Sequence, residues 1–328
     1  MRHFDPVQKN RRTFLKRACI AAAVAAGLGS FWAAKSNTRS ARLLRQILAD
    51  NQRKILPAPA KPNPATWSDN DITIAWLGHA TTLINFYGVH ILTDPALGNH
   101  IGVALGVGTA GPKRYVAPAL RVEELPPIDV LLLSHAHFDH LDVATLGRLE
   151  PKSITVTAKI TSDVLSGTGL TRIMELPWRG RTTAQCANGD LEIEAIEVKH
   201  WGRRWPTGID RGYNGYVLRR EGKSLLFGGD SALTPLFAEV RSRGPFAAAI
   251  MPIGAYDPWI RNHCTPEEAV EMANQAGADY LVPVHHQTFK LSNEPMLEPI
   301  ERFQAALRAA PERIALRQIG EHFVCPRT

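Results

Sequence analysis

Apolar positions along residues 67–328 form short runs that alternate with amphipathic segments. Runs of about four to eight apolar or β-branched residues, bounded by Gly, Pro or Asp, are typical of strands. Segment 191–200 alternates apolar and polar residues instead, which predicts a strand with one buried and one wet face. The predicted strands are 72–78, 82–88, 89–95, 128–134, 191–200, 247–254, 280–286 and two strands within 213–230 that meet at a turn on Glu221-Gly222.

Helical spacing of apolar residues occurs in the segments 41–56, 141–150, 265–277 and 298–310. The third of these has clear boundary signals. Thr265 is a suitable N-cap, Pro266 stands at the first helical position, and Glu268 completes a capping box. Gly277 fits the residue after the last turn. The alternation of strands and helices predicts an α/β fold.

Four prolines within 57–64 interrupt the pattern and mark a boundary. We therefore predict three segments. Residues 1–36 form a signal or anchor, residues 37–66 a helical segment with a Pro-rich linker, and residues 67–328 one globular domain. The chain has 328 residues with 45% hydrophobic and 21% charged content, which is enough for a sizeable core.

The formal net charge of +7 is concentrated at the N-terminus. Residues 1–34 hold six Lys or Arg and one acid, which leaves the remainder at only +2. A nucleic-acid footprint needs a concentrated basic face, and the body offers only short basic clusters. We therefore expect no nucleic-acid partner.

The N-terminal charges precede an uncharged run from Ala18 to Ala34. The pair Arg11-Arg12 followed by "TFLK" resembles a bacterial twin-arginine export signal, and the run is rich in Ala and Gly. We expect export to the periplasm, with membrane tethering where the signal stays uncleaved. The alternative is an ordinary amphipathic N-terminal helix.

Cysteine spacing excludes a structural zinc knot, because no C-x-x-C occurs. Beyond Cys19 in the signal, the chain has Cys186, Cys264 and Cys325. One disulfide among these is compatible with an oxidising compartment, but the sequence does not give the pairing.

Histidines and aspartates stand at the ends of several predicted strands, where α/β sheets present their active-site loops. His135 and His137 follow one strand, His200 and Asp230 follow two others, and His285 follows a fourth. A single histidine at a strand end usually has a structural role. The repetition of this placement favours a metal centre.

The spacing within 135–140 predicts two cation sites. Side chains two residues apart on an extended chain point the same way, so His135 and His137 share one cation. Asp139 and His140 fall in the following turn and reach a second cation. His200 would complete the first site and His285 the second, and Asp230 has two oxygens with which to bridge them. Carboxylates and imidazoles without thiolate favour zinc or iron over copper, and manganese is also compatible.

The segment "HAHFDH" (135–140) matches the H-x-H-x-D-H signature of the metallo-β-lactamase superfamily. This resemblance implies an αββα sandwich of two mixed β-sheets flanked by helices. Further segments resemble the N-acylphosphatidylethanolamine-hydrolysing phospholipase D family over nearly all of 67–299: "WLGHAT" (76–81), "GPKRY" (111–115), "HWGRR" (200–204), "MPIGAY" (251–256), "HCTPEEAV" (263–270) and "TFKLSNEPMLEP" (288–299).

The phospholipase D resemblance implies a dinuclear zinc phosphodiesterase that acts on an amphiphilic phospholipid at a membrane surface. It places His135, His137 and His200 at the first zinc, Asp139, His140 and His285 at the second, and Asp230 between them. His263 matches a histidine beside the substrate that is not a ligand. The sequence departs from that family at His286-Gln287, where Trp-Gly is common.

Three function classes follow: a phospholipase D-type phosphodiesterase, a lactonase or amidase of the same fold, and a non-catalytic envelope protein that kept the metal site for stability. For the first we expect a metal-bridging hydroxide to attack phosphorus. Asp139 and Asp230 would act through the metals, and His263 would hold the substrate or protonate the departing alkoxide. The sequence does not indicate an oligomeric state.

Several residues near these ligands have two interpretations. Asp94 would orient a ligand histidine or simply form a turn before Pro95. His79 would face the cleft or serve the hairpin turn, and His286 would be an outer donor or a surface group. Tryptophans 201, 205 and 259 would contact acyl chains or a bilayer, or pack in the core. Segment 97–111 is interpreted as a mobile, partly apolar loop beside the cleft.

Overall fold

The computed structural model describes residues 52–104, 109–205 and 207–327. The predicted signal over 1–36 lies outside these ranges. So does the predicted helix over 41–56, except for its last five residues. The chain divides into two units, Met1–Lys54 and Ile55–Thr328, and the fold described here is the second. None of the helices in the described ranges has the length and apolarity needed to cross a membrane.

The first sheet has seven strands in the order β15-β1-β2-β3-β6-β7-β8. β1 to β3 form an antiparallel meander, and β3, β6, β7 and β8 are parallel. The strands are β1 (Ile72–Gly78), β2 (Thr81–Phe86), β3 (Val89–Thr93), β6 (Val130–Leu132), β7 (Ile154–Ala158), β8 (Arg172–Leu176) and β15 (His322–Val324).

The second sheet has six strands in the order β14-β13-β12-β11-β10-β9. β9 to β12 are antiparallel, and β12, β13 and β14 are parallel. Its strands are β9 (Arg181–Cys186), β10 (Gly189–Ile196), β11 (Gly215–Arg220), β12 (Lys223–Phe227), β13 (Phe246–Pro252) and β14 (Ala278–Val284). A separate hairpin, β4 (Val103–Ala104) with β5 (Thr109–Ala110), lies within the predicted loop 97–111.

Two buried clusters show how the layers pack. The larger cluster joins residues of both sheets, such as Leu83 and Leu131 of the first with Leu218 and Ile250 of the second, and forms the interior of a sandwich. The smaller cluster joins the other face of the second sheet to three helices. These are α2 (Leu236–Glu239), α3 (Pro266–Ala276) and α4 (Glu298–Ala306). Two mixed sheets with flanking helices confirm the predicted αββα sandwich.

Helix α3 forms as predicted from its boundary signals. The Thr265 hydroxyl accepts from the Glu268 N–H, and the Glu268 carboxylate accepts from the Thr265 N–H. Gly277 ends the helix in the left-handed region at φ 80°, where a side chain would be strained. The turn at Glu221-Gly222 between β11 and β12 is also confirmed.

Three predicted helices were too long. Over 141–150 the structure has only α1 (Val143–Leu146), because Gly147 and a turn follow its single turn. The predicted helix 298–310 ends at Ala306. Near the N-terminus, Leu56 is not helical but forms a parallel bridge with Val116.

The Pro-rich segment is hydrogen-bonded to the sandwich. The Leu56 N–H donates to the Tyr115 carbonyl, and the Leu56 carbonyl accepts from Ala117. Ala60 donates to Ile319. The cysteines at 186, 264 and 325 are free thiols, so the three pair in no disulfide.

Candidate metal centre

The predicted ligands meet at one edge of the sandwich, because the strands that carry them end there. The segment 135–140 follows β6, His200 follows β10, Asp230 follows β12 and His285 follows β14. A local link joins the sheets at this edge, where the Asn214 N–H donates to the Ser134 carbonyl and His135 bridges to Tyr213. The structure therefore brings all seven predicted ligands together.

The first group of donor atoms consists of His135, His137 and His200. His137 Nδ1 lies 2.7 Å from His135 Nε2 and 3.2 Å from His200 Nε2. The outer nitrogens of two rings are fixed. His135 Nδ1 is 2.8 Å from Ser134 Oγ, and His200 Nδ1 is 2.8 Å from the Asn262 carbonyl. The inner nitrogens thus converge on one point.

The second group is built around two carboxylates. Asp139 Oδ2 lies 3.3 Å from His285 Nε2 and 3.5 Å from His140 Nε2. Asp230 Oδ2 lies 3.0 Å from His140 Nε2 and 3.2 Å from His285 Nε2. It is also 3.8 Å from His200 Nε2 in the first group. One oxygen of Asp230 is therefore within reach of both groups.

These residues fit divalent cations. His140 Nε2, His285 Nε2 and Asp230 Oδ1 are buried and have no hydrogen-bond partner in the described structure. Buried polar atoms normally have one, so atoms that converge without partners indicate a missing ligand. The donors are imidazole nitrogens and carboxylate oxygens, which suit zinc, iron or manganese.

Charge in the site is strongly coupled. Burial raises the pKa of Asp230, but the imidazoles of His140, His285 and His263 outweigh it and hold that pKa well below its ordinary value. Burial lowers the pKa of His285, but Asp230 and Asp139 outweigh it and raise the pKa to about 9. Without cations, the two carboxylates therefore keep a proton on the His285 ring, and a bound cation would displace that proton.

Asp94 follows β3 and is fully buried. Its Oδ1 accepts from the Ser134 N–H at 2.7 Å, and its Oδ2 is 2.5 Å from Ser134 Oγ and 2.6 Å from His140 Nδ1. Of the two interpretations of Asp94, the structure therefore supports the orientation of a ligand. A carboxylate on the outer nitrogen fixes the tautomer and direction of a ligand histidine.

Of the two interpretations of His79, the structure supports the one in which its ring faces the site. Its Nε2 lies 2.9 Å from Asp139 Oδ2, and its ring is 1% exposed. Burial and the neighbouring His285 lower the pKa of His79 to about 3, so the ring is neutral at neutral pH. The position of a histidine at a hairpin turn gave no sign of the direction of its ring.

His286 is buried and stacks on Trp76 with 4.4 Å between ring centroids, so the surface interpretation is wrong. His263 is also buried at the site. Its Nδ1 lies 3.8 Å from Asp230 Oδ2. Burial is the largest cause that lowers the pKa of His263 to about 4.

A cleft of about 290 Å³ opens over both groups of donor atoms. Its walls are mainly apolar. The large apolar residues in its lining are Ile101, Pro112, Phe138, Trp201, Trp259 and Leu291. Trp205 is 49% exposed and packs edge-on against Phe138. The core-packing interpretation is thus wrong for Trp205 and Trp259, which is 47% exposed. The predicted placement of segment 97–111 beside the cleft is confirmed through Ile101.

Comparison with known proteins gives the family. Residues 90–286 match the family model described as a beta-lactamase superfamily domain. An uncharacterized protein of Mycobacterium tuberculosis is 31% identical over 275 residues, which cover 80% of this chain and 71% of that protein. The N-acyl-phosphatidylethanolamine-hydrolyzing phospholipase D 1 of Caenorhabditis elegans is 29% identical over 294 residues, which cover 81% of this chain and 82% of that protein.

A solved structure supports the fold. The isothiocyanate hydrolase from Delia radicum gut bacteria superposes with a TM-score of 0.61 at 18% identity, over 78% of this chain and all of that chain. This likeness concerns the architecture alone. Together with the family match and the clustered donor atoms, it leads to one conclusion: the chain belongs to the beta-lactamase superfamily domain family and is a metal-dependent hydrolase of the metallo-β-lactamase fold.

Proposed function

We propose that the protein is a phospholipase D-type phosphodiesterase that acts on N-acylphosphatidylethanolamine or a related amphiphilic phosphodiester. The observation that carries this proposal is the apolar-walled cleft that opens directly on the metal donors. A lipid needs this combination, because its phosphodiester is anionic and its acyl chains are apolar. The similarity to the phospholipase D of Caenorhabditis elegans supports the same substrate class.

The proposal includes two cations, zinc by expectation, with iron or manganese as alternatives. His135, His137 and His200 would hold the first, and Asp139, His140 and His285 the second. Asp230 would reach both. Bound cations would supply Lewis acidity and a water of lowered pKa.

The chain's own residues would orient the substrate. His263 lines the cleft beside Asp230, and with its pKa lowered to about 4 its ring is neutral at neutral pH. A neutral imidazole donates a hydrogen bond, so we propose that His263 holds a phosphate or amide oxygen. This favours the substrate-holding role over the protonation of the leaving group. Phe138 and Trp201 line the cleft beside the donors, and their apolar rings would exclude water from the reacting group.

A membrane surface is the proposed partner. Exposed apolar side chains belong to the two segments that carry cleft residues: Trp205 (49%) and Ile209 (59%) follow Trp201 along the chain, and Ile260 (46%) follows Trp259 (47%). Trp205 contacts the cleft wall at Phe138, and Trp259 is itself part of the wall. Tryptophan favours the membrane–water interface because its ring is amphipathic. Export through the twin-arginine signal would place this surface in the periplasm.

The test is a substrate panel with metal-loaded protein. The panel holds an N-acylphosphatidylethanolamine, bis(p-nitrophenyl) phosphate, a lactone, an amide and a cephalosporin. We expect turnover of the two phosphodiesters, and loss of turnover in His263→Ala with the lipid affected most. In heavy-oxygen water the label should enter the phosphatidic acid.

Label in the released alcohol would mean attack at carbon, and label in a fatty acid would mean ester or amide cleavage. Either result contradicts the proposal. Good lactone or amide turnover without phosphodiester turnover would support the alternative hydrolase. A metal-loaded protein inactive on the whole panel would support the non-catalytic alternative.

A further inference from the structure

His79 occupies an unusual backbone conformation at the turn between β1 and β2. Its φ is 50°, in the left-handed region that non-glycine residues rarely enter. Three hydrogen bonds hold it there. The His79 N–H donates to Thr288 Oγ1 at 2.6 Å. The His79 carbonyl accepts from Trp76 Nε1 at 2.7 Å and from the His285 N–H at 2.9 Å. The surrounding structure thus imposes this conformation.

The conformation directs the ring at Asp139. His79 Nε2 lies 2.9 Å from Asp139 Oδ2, which is shorter than the 3.3 Å and 3.5 Å from that oxygen to His285 and His140. The His79 Nδ1 atom is buried and has no hydrogen-bond partner within the described residues. The ring proton is therefore best placed on Nε2, which donates to the carboxylate.

Asp139 needs an external support. It lies in a turn after His137 rather than in a strand, and its side chain is 15% exposed. Because no strand fixes this segment, the direction of the carboxylate depends on the contacts that its own oxygens make. Outer hydrogen bonds to ligating carboxylates commonly change metal affinity about 10- to 100-fold when they are lost.

We propose that His79 is a positioning residue, which holds the Asp139 carboxylate toward His140 and His285 so that the second cation is bound tightly. The proposal rests on the assignment of Asp139 to the second metal site in the proposed function. The function of the strained backbone at His79 would then be to direct its ring at Asp139.

Two substitutions separate the ring from the turn. Asn adopts the left-handed region readily, so His79→Asn keeps the turn, but its amide is too short to reach Asp139. The longer amide of His79→Gln would place its N–H near the position of Nε2. Tyr87→Asn is the matched control, because Tyr87 has φ 51° at the next hairpin turn, between β2 and β3. The thermal unfolding temperature of each metal-free protein shows whether the substitution has destabilised the fold.

The readout is the dissociation constant of each cation, measured by competition with a chelator. We expect His79→Asn to weaken the second cation about 10- to 100-fold without loss of metal-free stability. His79→Gln should restore most of that affinity, and Tyr87→Asn should bind as the wild type does. Wild-type affinity in His79→Asn would overturn the proposal in favour of a turn role.

Equal loss in His79→Gln and His79→Asn would also overturn the proposal and would indicate direct coordination by the ring. Wild-type protein that binds no second cation would remove the Asp139 assignment and the proposal with it. The measurement uses no substrate, so an inactive substrate panel together with the expected binding would contradict the proposed function alone.

Discussion

Substitution of Asp94 by Asn tests how the fold fixes the direction of a ligand. The two side chains have the same shape, but the carboxylate accepts three hydrogen bonds where the amide has one acceptor oxygen and one donor group. In the protein, Asp94 Oδ1 accepts from the Ser134 N–H, and Oδ2 faces Ser134 Oγ and His140 Nδ1. The site is fully buried, so water cannot replace a lost partner.

Both orientations of the amide are unfavourable. If its oxygen stays on the Ser134 N–H, the NH₂ faces His140 Nδ1 and drives the ring proton to Nε2, the nitrogen that must be free to bind a cation. If the amide flips, its NH₂ faces the Ser134 N–H and leaves a buried donor without an acceptor. Such a donor costs about 1–3 kcal/mol. We therefore expect the second cation to bind about 10- to 100-fold more weakly.

The assay is a competitive metal titration of Asp94→Asn beside Asp129→Asn. Asp129 also accepts a backbone N–H, from His90 at 2.8 Å, but it precedes β6 at the end away from the ligands. The control should lose some stability and no metal affinity. If Asp94→Asn binds two cations at wild-type affinity, Asp94 does not control which nitrogen of His140 carries the proton.

Three further predictions concern other parts of the fold. Burial opposes ionisation of Glu175, but backbone N–H donors from 160–162 outweigh it and lower its pKa to about 2. Glu175→Gln should thus lower the free energy of unfolding by about 1 kcal/mol at neutral pH. Chemical denaturation should show this difference shrinking as the pH falls below about 4, because the carboxylate of the native protein then becomes protonated and its stabilising effect is lost. Thr265→Ala should remove the N-cap of α3 and cost about 1 kcal/mol in urea unfolding, with unchanged metal content; a loss above about 3 kcal/mol would mean a role beyond capping. The double change of Trp205 and Ile209 to Ser should lower turnover of vesicle lipid at least about tenfold and leave bis(p-nitrophenyl) phosphate turnover unchanged. Val324→Ser, in β15 opposite Thr73 and 47% exposed, should change neither, and equal vesicle turnover in the wild type and both variants would contradict the proposed membrane surface.

Local signals in the sequence were sufficient where one residue type fixes one geometry. Helix α3 begins and ends at the predicted residues because its caps are made by side chains within the same segment. The convergence of these histidines and aspartates was predictable because they stand after buried strands. Strands that run in the same direction end at the same edge: β12, β13 and β14 are parallel neighbours, and β10 runs the same way as β12 because both are antiparallel to β11.

Features that depend on distant contacts were not predictable. The sequence prediction omitted β4, β5, β7, β8, β9 and β15. Strand β8, for example, is held by its pairing with β7, although Arg172 at its start is exposed. The direction of the His79 ring depends on Thr288 and His285, more than 200 positions away along the chain. The predicted length of the helix in 141–150 was wrong, because apolar spacing alone does not show that the helix ends at Gly147 after one turn.

The dinuclear assignment is tested by the number of cations bound to three proteins, measured by elemental analysis. We expect two cations per chain in the wild type, with both sites disturbed in Asp230→Ala because Asp230 Oδ2 reaches His140, His285 and His200. His263→Ala should keep two cations, because we propose that His263 contacts the substrate and does not bind a cation. One cation in the wild type, or loss of metal on replacing His263, would contradict the dinuclear assignment.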